Sequence, residues 1–510
     1  MPAPEPDSND HADPTGRTPD TGSPSTSSGE KPLLAALDRF HDAGALSLAL
    51  PAHRAARGPL RPSAAPWTGD AAFAADVGMD KGVDDRLRSR GVQERAQALF
   101  AEALGADRTW FSTGGSTMSV HVAMLAALHP GETLVMARNG HKSAFAGLVL
   151  AGVRPVYVDP VYDDRWQIAH GVEPEALDRV LHAHPEARAA MVFTPTYYGV
   201  SSDVAGLAEV AHAHDVPLLT DDAWGLDHAF CDRFPSTALA AGADLSIGSV
   251  HKTLDSLGQT SVLSVRGDRV DRARVDLALE LEQSTSASTL LLASIDAARE
   301  RFARDGERLL GAALDRARRL RRELAAVDGL VVLDEDSVRD CAGVVALDPT
   351  HVSVDVTGLG LTGFAVADRL RDRFGIHVEL ADHRRVMALV SVADGDRELD
   401  RFREALEAVA ADPGPPVTVP EVPRTARLRM PTVALPRDAV LGRTEMVDRE
   451  QAVGRVCAEM ICPYPPGIPV TAPGERLSGE ALRYLGAVVA AGGVVQGAVD
   501  PTLTQVRVAV

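Results

Sequence analysis

The 510-residue chain is poor in cysteine and has no apolar run clean and long enough to span a membrane. It also lacks the GxxxxGKS/T nucleotide loop, the HExxH zinc motif, and a GxGxxG placed before a ribose-binding acid. Its four cysteines, Cys231, Cys341, Cys457 and Cys462, are too scattered for a disulfide framework. No His/Cys cluster of zinc spacing stands beside Cys457 and Cys462, so all four read as buried or incidental thiols and no metal is expected. The opening MPAPEPDSNDHADP lacks the basic segment and apolar core of a secretory leader, which makes a cytoplasmic location the expectation. A formal net charge of −19 argues against nucleic acid and anionic membranes as partners, and mildly favours a cationic small molecule.

What is present is ordinary globular composition, 45% hydrophobic and 24% charged, in a chain long enough for two or three domains. Residues 1–30, rich in Pro, Ser, Thr, Gly and Asp, bury too little to offset their ordering entropy and read as a disordered tail. Residues 31–70 read as a helical and extended segment, and 71–329 as the large domain. Within it, apolar runs at 109–112, 133–137, 154–158, 190–194, 217–220, 245–249 and 261–265 alternate with helical patterns. That order predicts an α/β fold with a mostly parallel seven-stranded sheet covered by helices. The arginine-rich helical stretch 290–327 reads as a solvated face. A smaller α+β domain is expected over 330–412 and a third unit over 413–510.

The chemistry gathers at the ends of the predicted strands. Ser249-Val250-His251-Lys252-Thr253 puts a lysine just past an apolar strand, where a reachable amine that can lose its proton could form a Schiff base. The turn Ser112-Thr113-Gly114-Gly115-Ser116-Thr117 precedes a helix; its glycines, hydroxyls and free amides suit a phosphate or a simple cap. His141, in Arg138-Asn139-Gly140-His141, is placed to stack on an aromatic cofactor or to hydrogen-bond a turn. Asp221 ends another strand, where a carboxylate facing a pyridine nitrogen would keep it protonated; a helix cap is the plainer alternative. Together these parts fit pyridoxal 5'-phosphate better than any one alone.

Longer stretches then carry a family likeness: FSTGGSTMSVHVAML (111–125), ARNGHKS (137–143), FTPTYYGVSSDV (193–204), TDDAWG (220–225), GADLSIGSVHKTLDSLGQTSVL (242–263), GIHVELAD (375–382) and AVGRVCAEMICPYPPGIPVTAPGE (452–475). The chain resembles the Orn/Lys/Arg decarboxylases, in particular compact members without an N-terminal wing domain. That resemblance implies the fold-type-I architecture of pyridoxal-phosphate enzymes, with 413–510 as the family's C-terminal domain. It implies Lys252 as the Schiff-base lysine, Asp221 as partner of the pyridine nitrogen, and His141 as the stacking histidine. Gly115, Ser116, Thr117 and Ser249 fall at the phosphate, His251 beside the lysine, and Thr196 in a loop approaching the cofactor. The reaction implied is decarboxylation of a basic L-amino acid, with arginine preferred over lysine or ornithine. A different pyridoxal-phosphate reaction and a non-catalytic binding protein stay as alternatives.

For the substrate's distal charge the candidates are Glu475, Asp84 and Asp85, and Trp224 either narrows the site or packs beneath it. The family commonly has proline and tyrosine where Ala287 and Thr289 stand, a departure that bears on the substrate. A homodimer or dimer of dimers with shared active sites is expected.

Overall fold

The computed structural model describes residues 29–44, 50–56, 61–84, 91–417, 428, 430–464, 467–490 and 493–510. The large domain is built on seven strands: β1 (Arg108–Ser112), β2 (Thr133–Ala137), β3 (Arg154–Val158), β4 (Ala187–Phe193), β5 (Leu218–Asp221), β6 (Leu245–Ser249) and β7 (Ser261–Val265). They lie in the order β1-β7-β6-β5-β4-β2-β3. Only β7 runs against the rest, pairing antiparallel with β1 and β6. The sheet is therefore mixed.

Most of its strands are buried along nearly their whole length because helices cover both faces. Leu134, Val135 and Met136 of β2 are all fully buried, each contributing about 1.5–3 kcal/mol of burial. The helices Gly115–Ala127, Lys142–Ala151 and Val204–Ala213 return the chain to the sheet, so every loop leaving β1, β2, β4, β5 and β6 emerges at one edge. Such an edge, at the carboxyl ends of parallel strands, is where open α/β sheets hold ligands.

The helix Thr289–Ala325 leads out of this domain. Its arginines are not all solvated. Arg299 is buried against Asp296 at 2.9 Å, and Asp296 also accepts the Leu33 amide at 3.0 Å, tying the helix Pro32–Asp42 down. Arg321, also buried, donates to the carbonyls of Pro349 and His351. Guanidinium donors close the backbone accounts of neighbouring segments here.

Beyond it, β8 (Val331–Val332), β9 (His351–Asp355), β10 (Leu380–Ala381) and β11 (Arg385–Leu389) form an antiparallel sheet in the order β8-β9-β11-β10. Helices Gly363–Phe374 and Asp396–Ala411 pack with it in one core. Between β8 and β9 the pair Ala346–Leu347 leaves this sheet and bonds to Val200–Ser201 of the large domain. Residues after 430 form two short ribbons, 444–448 with 505–509 and 462–464 with 494–496. Lys142 joins this unit to the large domain: its amide donates to the Gly467 carbonyl at 3.1 Å and its amine to Gln496 at 2.6 Å. Among the described residues no helix is long and apolar enough to cross a membrane.

Candidate active site

A cavity of about 390 Å³ opens where those strand-end loops meet. Lys252 lies one turn beyond β6, in the short helix Val250–Thr253. Its Nζ sits 4.2 Å from the Trp224 ring centroid and 5.9 Å from that of Tyr197. Among the described residues no hydrogen bond reaches that amine. Burial lowers its pKa, while Asp221 and Glu379 oppose the shift. An amine so placed loses its proton more easily than a surface lysine, which is what nucleophilic attack on a carbonyl requires.

Asp221 closes β5 on the cavity floor and accepts the Ala223 amide at 3.2 Å. Burial pushes its pKa up, and Lys252 pulls it back. A buried carboxylate with one modest hydrogen bond has strong reason to bind a cation or an N–H.

His141 caps the helix Lys142–Ala151 by accepting the Ser143 amide on Nδ1 at 3.3 Å. The proton of the neutral ring therefore sits on Nε2. Burial, helped by the charges of Lys252 and Lys142, lowers its pKa to about 4. His251 has the opposite tautomer. Its Nδ1 lies 2.8 Å from the Thr260 carbonyl, which can only accept, so Nε2 is left free to take a proton. Burial lowers its pKa also.

The Gly115–Ala127 helix starts without a side-chain cap, so its first amides lack intrahelical acceptors. Gly115 has φ +69°, a backbone region glycine enters without strain. Ser116 Oγ lies 2.6 Å from Ser249 Oγ. The Gly115 amide donates to the Gln259 carbonyl at 2.8 Å; the amides that follow and these hydroxyls could hold a phosphate, with the buried amine and carboxylate beside them placed for the carbonyl and ring nitrogen of pyridoxal phosphate. The donor set fits that cofactor.

The structure brings Gly115, Ser116, Thr117, His141, Thr196, Asp221, Trp224, Ser249, His251 and Lys252 to this one cavity. Two candidates lie elsewhere. Glu475 is 1% exposed, bound by Arg138 at 3.2 Å and by the Ala472 amide at 2.8 Å. It locks the C-terminal unit to the large domain, and an expected reader of the distal charge becomes a structural anchor. Asp84 is buried away from the cavity, accepting the Gln93 amide at 2.6 Å at the start of the helix Val92–Leu104. Asp85 lies outside the described residues. The 286–289 segment does not line the cavity in this chain; Ser288 caps the long helix and Thr289 donates to the Val77 carbonyl.

Sequence reasoning missed Glu379, whose carboxylate stands on the exposed rim, its pKa raised by partial desolvation against the pull of Lys252 and His351. Its only signal was membership of the GIHVELAD run. Also missed was the support beneath Trp224. His351 meets that indole edge-on at 5.4 Å, and Asp348 lies 3.1 Å from His351 and 3.6 Å from His228. The two imidazoles hold Asp348 well below the usual carboxylate range despite its burial.

A model of the Orn/Lys/Arg decarboxylase major domain matches residues 31–398, and one of that family's C-terminal domain matches 424–495. The chain belongs to the Orn/Lys/Arg decarboxylase family. Arginine decarboxylase of Bacillus subtilis is 35% identical over 480 residues, covering 94% of this chain and 98% of its own. Arginine decarboxylase of Halalkalibacterium halodurans is 36% identical over 467 residues, 90% of this chain and 93% of that one. The structure of the E. coli constitutive lysine decarboxylase aligns with a TM-score of 0.77 at 21% identity, covering 94% of this chain and 82% of that one. The fold is thus the fold-type-I architecture of that class. This Orn/Lys/Arg decarboxylase is a pyridoxal-phosphate-dependent amino-acid decarboxylase acting on a basic amino acid.

Proposed function

We propose that arginine is the preferred substrate and that Glu379 reads its distal charge. The observation that carries this is the cavity's carboxylate pair: Asp221 on the floor beside Lys252, and Glu379 on the rim. With Asp221 committed to the cofactor, Glu379 is left for a cationic side chain, and a planar guanidinium meets a carboxylate through two parallel hydrogen bonds. The arginine decarboxylases named above support the same choice.

Bound pyridoxal phosphate supplies a carbonyl for covalent attachment and an electron-poor ring that accepts the bonding pair as carbon dioxide leaves. Lys252 would hold it covalently and give way to the substrate's α-amine. Asp221 would keep a positive charge at the ring nitrogen, and His141 would confine the ring from one face. Ser116, Thr117 and Ser249 would hold the phosphate. The leaving carboxylate is replaced at Cα by one proton, for which His251 Nε2 and the Lys252 amine are the available carriers.

Subunit association and cytoplasmic residence belong to the proposal as well. Leu50 and Trp67 stand 78% and 92% exposed, and Leu277 and Leu281, one turn apart on a helix, 57% and 73%. A second copy would cover such apolar side chains in a homodimer or dimer of dimers.

The decisive experiment is an amino-acid panel assayed for carbon dioxide and amine together. Arginine should give the highest kcat/KM with equal amounts of both products. A preference for lysine or ornithine refutes the substrate assignment, and keto acid without carbon dioxide refutes the reaction. Borohydride should fix the cofactor covalently to wild type and not to Lys252→Ala.

A further inference from the structure

We propose that Asp163, His170 and Cys341 form a binding site for a borderline-soft divalent cation, of which zinc is the natural candidate. The three residues come from two places. Asp163 and His170 belong to the hairpin in which Tyr162–Asp163 pairs with Ile168–Ala169. Cys341 lies in a turn of the smaller unit, after the short helix Glu335–Val338. One ligand atom from each lies within 4.8 Å of the other two.

The spacing is that of a coordination polyhedron. His170 Nε2 lies 3.1 Å from Asp163 Oδ2, and Cys341 Sγ lies 3.6 Å from the same oxygen. A tetrahedral zinc with ordinary bond lengths sets its N and O ligands about 3.3 Å apart and its S and O ligands about 3.5 Å apart. Both edges agree to within a few tenths of an ångström.

The scaffold holds the carboxylate and the backbone of the imidazole in place, while His170 Nδ1 is buried without a partner. Asp163 Oδ1 is occupied by the amides of Arg165 and Trp166 at 2.8 and 2.9 Å, which leaves Oδ2 for the cluster. His170 is fully buried, its amide bonded to the Val161 carbonyl at 2.8 Å and its carbonyl to Asn139 Nδ2 at 3.0 Å. Gly171 and Gly343 let the two segments meet backbone to backbone: a Cβ on Gly171 would stand 2.4 Å from the Gly343 oxygen. Asp163 and Cys341 are half-buried, giving the ion a way in and leaving a fourth position for water.

Binding would release one proton, from the Cys341 thiol, as the thiolate becomes a ligand; the neutral imidazole, whose Nε2 proton faces Asp163 Oδ2 in this structure, would carry that proton on Nδ1 instead and give Nε2 to the metal. A divalent ion with one thiolate and one carboxylate makes a neutral centre, which suits a half-buried site. The ion would pin the hairpin to the smaller unit beside the cofactor cavity, since Ala169 and Asn139 both line that cavity. Sequence spacing conceals the site because the thiol and the imidazole are far apart in the chain.

Cobalt(II) titration of the cofactor-loaded full-length protein tests this. One equivalent should bind with a thiolate-to-cobalt charge-transfer band and tetrahedral visible absorption, and zinc should displace it. Cys341→Ser, at a half-buried position, should keep the cofactor's absorbance and lose the charge-transfer band. Asp163→Asn should weaken binding by more than about tenfold. Absence of the band in wild type, its persistence in Cys341→Ser, or unchanged affinity in Asp163→Asn would each overturn the proposal.

Discussion

Lysine occurs only at Lys31, Lys81, Lys142 and Lys252, although the chain carries 52 basic Lys and Arg residues in all. Lys142 is already held by Gln496, so borohydride trapping has little to compete with Lys252. At the rim, Glu379→Gln should lower kcat/KM for arginine by about tenfold, near the lower limit for a hydrogen bond to a charged group. Most of that loss should fall on KM, and uncharged substrates should be spared; steady-state kinetics on both classes decides it. His141 gives a pH prediction. Its folded pKa of about 4 lies below the free value of 6.5, so the unfolded chain binds the extra proton first as pH falls. Stability from this residue is intact above pH 6.5 and is lost as pH drops toward 4. Between pH 7 and 5 the loss is about 2 kcal/mol. His141→Gln should flatten that part of the profile in paired thermal melts at the two pH values. Lys252 and Asp221 were legible as cavity residues because Asp221 ends one apolar strand and Lys252 follows another by three residues. Glu379 was not, because an acid in the bend before the two-residue strand β10 reads as solvated until the fold places it on a rim.

Among the elements, all seven strands of the large sheet were legible within a few residues, since burial on both faces leaves short runs of mostly apolar or small residues between helical patterns. β9 was not. Its sequence HVSVD has the alternation of a half-exposed strand, yet His351, Ser353 and Asp355 are all buried. Two of the three face polar neighbours rather than water: His351 meets Asp348 and Asp355 meets Arg384. The long helix carries a similar surprise in its Asp296–Arg299 pair. Asp296→Ala would take the carboxylate from a buried guanidinium and release the Leu33 amide, destabilising the protein by about 3 kcal/mol. Hydrogen exchange should rise first in the helix Pro32–Asp42, before the central sheet. A closer test of the cavity wall is Gly140, where a Cβ would lie 2.4 Å from the Phe193 ring. Gly140→Ala should displace that ring and cost about 1–3 kcal/mol, read as a lower denaturant midpoint with weaker cofactor retention.

For the whole molecule, the prediction concerns association. Sedimentation at micromolar concentration should give a dimer or a dimer of dimers, and Trp67→Glu should weaken it by more than about tenfold if that indole anchors the contact. A monomer for wild type would remove the reason offered for its exposure. The boundary expected near residue 330 is crossed by the Val200–Ser201 ladder with Ala346–Leu347. That ladder adjoins the loop carrying Thr196 and Tyr197, and Glu379 and Leu380 complete the same wall. The order of synthesis makes this arrangement consequential. The ribosome delivers Lys252 and the seventh strand well before the residues that brace the cavity, and at ordinary elongation rates the interval lasts several seconds. A nascent chain in that interval has its reactive amine and half a pocket, so cofactor capture becomes one of the last events in its maturation.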